Sequence, residues 1–111
     1  MPMQEPTYWI LTSLAAGRRH GYAILADVDV LTEGRVRLRI TTLYSALDRL
    51  QRDGLIAEAG DEVVEGRRRR YIVLTEHGAA ALRAEALRLA HAAQGATQRL
   101  RAFGWAARTA G

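Results

Sequence analysis

Four consecutive arginines, Arg67 to Arg70, stand between Gly66 and the apolar run Tyr71-Ile72-Val73-Leu74. Guanidinium groups stay charged at every physiological pH and present N–H donors in a fork that fits phosphate oxygens two at a time. A second group of hydrogen-bonding and cationic residues, Thr41, Thr42, Tyr44, Ser45, Arg49 and Arg52, recurs along one amphipathic segment. Small hydroxyl side chains followed by arginines suit a helix laid in the major groove of double-stranded DNA, where a bidentate arginine on guanine discriminates by about 1 to 3 kcal/mol. Asp48, on the same polar arc, repels phosphate unless it pairs with Arg52 at i, i+4 or accepts from a cytosine amine. A solvated basic loop and an ordinary surface helix use the same residue types, so the flanking elements must decide.

Catalysis finds little support. The 111 residues include no cysteine, which excludes disulfides, thiolate metal sites and cysteine nucleophiles. His20, His77 and His91 are isolated; on one helix the last two would stand about 21 Å apart, too far to share a metal. Ser13 and Ser45 are the only serines, neither with a histidine or acid at a recognisable spacing, and no glycine-rich phosphate loop follows a strand. The expectation is a protein without enzymatic activity, cofactor or metal.

A chain with 49% hydrophobic and 25% charged residues suits one small domain with a modest core. The uncharged stretch Thr7 to Gly17 is too short to span a bilayer, and residues 1–6 lack a basic leader, so a cytoplasmic protein without a membrane partner is expected. The formal net charge is +4 and all 16 basic residues are arginine. Residues 1–34 carry a net −2, whereas residues 35–74 and 75–111 each carry +3. Positive charge therefore avoids the amino-terminal third.

The elements that would position these groups follow from periodicity. Ile10, Leu11 and Leu14 predict a first helix over Thr7–Ala16; Tyr22, Ile24, Leu25 and Val28 predict a second over Gly21–Val30. Val36 to Ile40 alternates apolar with basic residues, as a short strand or extended link does. Thr41 or Thr42 is the expected cap of a third helix running to Asp53, with Leu43, Ala46, Leu47 and Leu50 inward and Gly54 ending it. Leu55–Ala59 and Arg70–Leu74 read as strands of a hairpin, joined by an acidic turn with Gly66 and Arg67 near its tip. Arg70 shares parity with Ile72 and is expected along the surface, paired with Glu58 or Asp61. Thr75 caps a long helix, which Gly95 is expected to kink or end.

Three helices, a hairpin and a long helix make a mainly helical α+β chain with the arrangement of a winged helix-turn-helix. Residues 1–75 would form the DNA-binding domain and residues 76–111 a dimerisation helix and tail. Leu82, Ala86, Leu89, Ala93 and Leu100 give the long helix an apolar face that a small domain cannot cover, so a homodimer is expected. Such a dimer would bind an inverted repeat. The alternative is an interaction module that dimerises without specific DNA binding.

His20-Gly21-Tyr22, Thr42-Leu43-Tyr44 with Ala46-Leu47 and Arg49-Leu50, Gly54-Leu55-Ile56, Gly66-Arg67, Arg69-Arg70-Tyr71 and Leu74-Thr75 with Gly78 and Leu82 together resemble the signature of PadR-like transcriptional regulators. The resemblance implies a winged helix-turn-helix with carboxy-terminal helical dimerisation, in bacterial repressors of which some are released by phenolic acids or flat hydrophobic drugs. It assigns DNA contact to Thr42, Tyr44, Arg67 and Arg69, and a structural turn to His20-Gly21. Thr41 and Ser45 depart from the glycine and proline common in the family at those places, which affects helix initiation and operator preference. The short carboxy-terminal part matches the compact branch, in which aromatics from the dimer helices line a pocket for a small aromatic or hydrophobic effector. Tyr8, Trp9, Phe103 and Trp105 are the candidates here, although packing is the commoner use of such residues.

Overall fold

The hairpin that carries the arginine run is longer than its sequence pattern indicates. In the computed structural model, which describes residues 3–105, strand β2 spans Ile56–Val64 and β3 spans Arg67–Leu74. Asp61 pairs with Arg70 and Val64 with Arg67, but the register shifts between Glu58 and Asp61. Gly60, with φ of 97°, lies in that irregularity, so the glycine expected to begin a turn instead forms a bulge inside the strand. The true turn is Glu65-Gly66, both left-handed at φ 53° and 77°, whose twist matches that of the two strands. A two-residue strand β1, Arg19–His20, adds to the other edge of β3, giving the order β1-β3-β2. Two residues are too few to show a period, so nothing in the sequence marks β1 as a strand.

Helices α1 (Glu5–Ala15), α2 (Gly21–Leu31) and α3 (Ile40–Arg52) pack against this sheet. Ile10, Leu11 and Leu14 from α1, Ile24 and Val28 from α2, Leu43, Leu47 and Leu50 from α3, and Ile56 and Ile72 from the sheet form the core. Each such burial contributes about 1.5 to 3 kcal/mol. Residues 36–39 hold no strand; they are the extended link, tied to the end of α2 by Thr32, whose Oγ1 donates to the Val28 carbonyl (2.8 Å) and accepts from the Val36 N–H (3.1 Å). The cap of α3 is Arg39, without a side-chain bond, so Thr41 and Thr42 lie inside the first turn and leave their hydroxyls available. At the other end, Gly54 (φ 76°) donates to the Gln51 carbonyl and Leu55 to that of Leu50, the paired bonds of a glycine-terminated helix.

Helix α4 (Glu76–Phe103) begins as expected at Thr75, whose Oγ1 accepts from the Gly78 N–H (3.0 Å) and donates to the Gly54 carbonyl (2.6 Å). It passes through Gly95 unbroken and ends at Gly104, φ 94°. A helical glycine costs only about 1 kcal/mol relative to alanine, which the alanine-rich neighbours tolerate. The amino-terminal part of α4 docks on α1, where the buried Glu85 carboxylate accepts from the Met3 N–H (3.2 Å) and from Arg88 (2.6 and 2.9 Å). The Arg88 guanidinium holds the Glu85 carboxyl below the usual carboxylate range. The rest of α4 projects, so the radius of gyration is 17.4 Å, against about 13 Å for a compact domain of this size. Among the described residues no helix is long and apolar enough to cross a membrane.

Candidate nucleic-acid interface

At about 100° per residue, the arc of α3 opposite Leu43, Leu47 and Leu50 carries Thr41, Ser45, Asp48 and Arg52, all exposed. Asp48 forms no ion pair with Arg52. Thr42 and Arg49 lie toward α1, where Arg49 Nη2 donates to Thr7 Oγ1 at 3.3 Å. Tyr44 lies on the other flank, over the start of α2. Its ring and hydroxyl cover Gly21 so closely that a Cβ there would lie 3.0 Å from the hydroxyl, and the tyrosine would have to shift to admit one.

The arginine run divides by partner. Arg68 is bonded to Asp61, and Arg70 to Glu58 at 3.3 Å, so both are locally neutralised. Arg70 also approaches the face of Tyr44, with its guanidinium carbon 6.0 Å from the ring centroid. Arg67 has no carboxylate partner, and Arg69 turns to His20, its Nη1 lying 3.1 Å from Nε2. Burial and the neighbouring Arg69 lower the His20 pKa against the opposing pull of Glu62. His20 also meets the edge of Tyr71 at 5.6 Å, and Arg18 stacks over the Tyr71 ring at 4.1 Å while donating to the Ala59 carbonyl beside the bulge. The neighbouring Glu62 carboxylate, together with burial, raises the Tyr71 pKa.

Tyr44, Gly21, Tyr22, His20 and Arg69 therefore link α3 to the hairpin in one continuous surface. The hairpin and α2 enclose a cleft of about 270 Å³ lined by His20, Tyr22, Arg67, Arg68 and Arg69. Periodicity assigns Tyr22 to the core of α2, but it is 59% exposed and forms one wall of this cleft. The only sequence signal for it is its place beside His20-Gly21. Among the described residues no cluster of histidines and carboxylates could hold a metal.

Elsewhere, Leu82 packs against the core of its own chain and Ala86 is half-buried, whereas Leu89, Ala93 and Leu100 are exposed. Tyr8 and Trp9 line a cleft of about 290 Å³ between α1 and α4, with Met3, Glu85, Arg88 and Leu89. Phe103 lies about 21 Å further along α4 than Leu89 and Trp105 beyond the helix end, so one protomer does not bring the four aromatics together.

Three helices, a three-stranded sheet whose hairpin extends as a basic wing, and an exposed polar face on the third helix define a winged helix-turn-helix protein. The model of the PadR-like family of transcriptional regulators matches residues 10–84, and the chain belongs to that family. Similar solved structures include a PadR family transcription regulator from Clostridium difficile R20291 (26% identity, 85% of this chain and 96% of that one, TM-score 0.69). A transcriptional regulator from Clostridium thermocellum is alike at 26% identity, covering 83% and 89% of the two chains with a TM-score of 0.69. Bacillus subtilis PadR, solved in complex with operator DNA, shares the fold at 21% identity over 72% of this chain and 45% of that one, TM-score 0.64. A comparison with curated proteins found no match.

Proposed function

We propose that the chain is a homodimeric, sequence-specific repressor of transcription that binds double-stranded DNA at an inverted repeat, without catalytic activity or cofactor. Thr41, Ser45 and Arg52 face the major groove, with Thr42 at the edge nearest α1; Arg67 and Arg69 anchor backbone phosphates, and Tyr44 sets the angle between α3 and the wing. The observation that carries this reading is the continuous surface from Tyr44 through His20 to Arg69, with Arg67 and Arg69 left without carboxylate partners. Residues 1–75 act as the DNA-binding unit and residues 76–111 as the arm that pairs two subunits. A small aromatic or hydrophobic effector would enter near Tyr8 and Trp9, with Phe103 and Trp105 supplied by the partner subunit's helix.

Selection of bound fragments from random duplex DNA tests this reading. The expected outcome is enrichment of an inverted repeat with half-site centres about 10 base pairs, or a multiple of that, apart. No enrichment over competitor DNA would instead favour a dimerisation module without specific DNA binding.

A further inference from the structure

The two nitrogens of His20 make a conflict that only a third group resolves. Nδ1 accepts from the Ala23 N–H at 3.2 Å and caps α2, while Nε2 lies 3.1 Å from Arg69 Nη1. A neutral imidazole has one acceptor nitrogen, and a guanidinium has none. The Ala23 amide belongs to the first turn of α2, where no helical carbonyl can serve it, so its claim on Nδ1 prevails. Nε2 then carries the proton, and its N–H and that of Arg69 converge on the same space without an acceptor.

That space belongs to the cleft between wing and α2, where Arg67 and Tyr22 also line the wall. One oxygen of a phosphate placed between Nε2–H and Nη1–H would accept from both and relieve the donor-to-donor contact. Building on the DNA-binding reading above, the geometry points to His20 as a DNA-contacting residue that shares one backbone phosphate with Arg69. The cap bond fixes its tautomer for the task. The other groups facing the imidazole are Tyr71, at its edge, and Glu62, which pairs across the hairpin with Arg69. Among the described residues neither is hydrogen-bonded to Nε2, whose polar neighbour is Arg69 Nη1.

The test is a double-mutant cycle on a mixed-sequence 24-base-pair duplex, followed by fluorescence anisotropy. His20→Asn keeps an oxygen to cap α2 and loses Nε2–H, so its melting temperature is expected to stay near that of the parent. Its affinity should fall about tenfold, as for one hydrogen bond to a charged acceptor, with an unchanged salt slope because the lost donor is neutral. Arg69→Ala should weaken binding and lower the slope. The double variant should bind about as weakly as Arg69→Ala alone, since both side chains serve one phosphate. Fully additive losses, or parental affinity in His20→Asn, would overturn the inference. Nitrogen chemical shifts of the His20 ring provide a check free of substitution: an Nδ1–H tautomer would contradict it. Inorganic phosphate at matched ionic strength should not displace the duplex; displacement would assign the cleft to a free anion instead. Failure of the parent chain to bind any duplex would defeat the DNA-binding reading itself, a result separate from all of these.

Discussion

Gly78→Ala should lower the melting temperature by more than about 10 °C, although alanine is the better helix former by about 1 kcal/mol. A Cβ at position 78 would fall 2.0 Å from the Leu55 carbonyl oxygen, 2.9 Å from its carbon and 2.8 Å from Leu74 Cδ1. The first two belong to backbone held in place, because the same Leu55 carbonyl accepts from the Thr75 N–H at 3.1 Å. The helix must therefore lift from the joint between α3 and β2, which costs about 3 kcal/mol or more, and each kcal/mol lowers the melting temperature of a domain this size by about 4 to 8 °C. Gly95→Ala is the control, since nothing lies within 4 Å of the added Cβ. It should stabilise by a fraction of a kcal/mol, and melts at one protein concentration would expose the opposite signs. Equal effects would mean that α4 does not dock through Gly78.

The second large effect is expected at Leu89, 40% exposed on the face by which α4 docks. Leu82, Glu85, Leu89, Ala93, Ala96, Leu100 and Phe103 fall on one side of the helix at about 100° per residue. The domain covers this stripe only as far as its amino-terminal part, so the same face that seals the core continues bare beyond it. In a two-fold dimer Leu89→Glu would bury one uncompensated carboxylate from each subunit, at about 3 kcal/mol or more apiece. Sedimentation should show a monomer with intact helical content, and affinity for an inverted repeat should fall by about 100-fold or more as the second half-site is lost. Leu82→Glu is the poorer test, because Leu82 also packs on its own core. A persistent Leu89→Glu dimer would place the contact elsewhere.

What the sequence made legible was whatever rests on local chemistry. The amphipathic period of α3, the glycine stop at Gly54, the Thr75 cap and Gly66 at the hairpin tip each depend on neighbours within a few positions. The pairing of Arg70 with Glu58 was readable from strand parity as one of two choices. The rest depends on contacts between distant segments. His20 and Arg69 meet across 49 positions, so nothing near either residue announces their shared space. Gly60 resembles a turn glycine because a bulge and a turn both use its left-handed backbone. Division of the arginine run into Arg68 and Arg70, paired with carboxylates, and Arg67 and Arg69, without carboxylate partners, needs the register, which the bulge shifts.

The claim on which the account turns is that the wing meets a polyanionic duplex through Arg67 and Arg69. Its most direct test is the dependence of binding to mixed-sequence duplex on salt concentration, for the parent chain and for Arg67→Ala/Arg69→Ala. Each lost phosphate contact should flatten the slope of log affinity against log salt by about 0.9, so a reduction of about 1.8 is expected, with weakening on every sequence alike. A slope unchanged by the double substitution would contradict it.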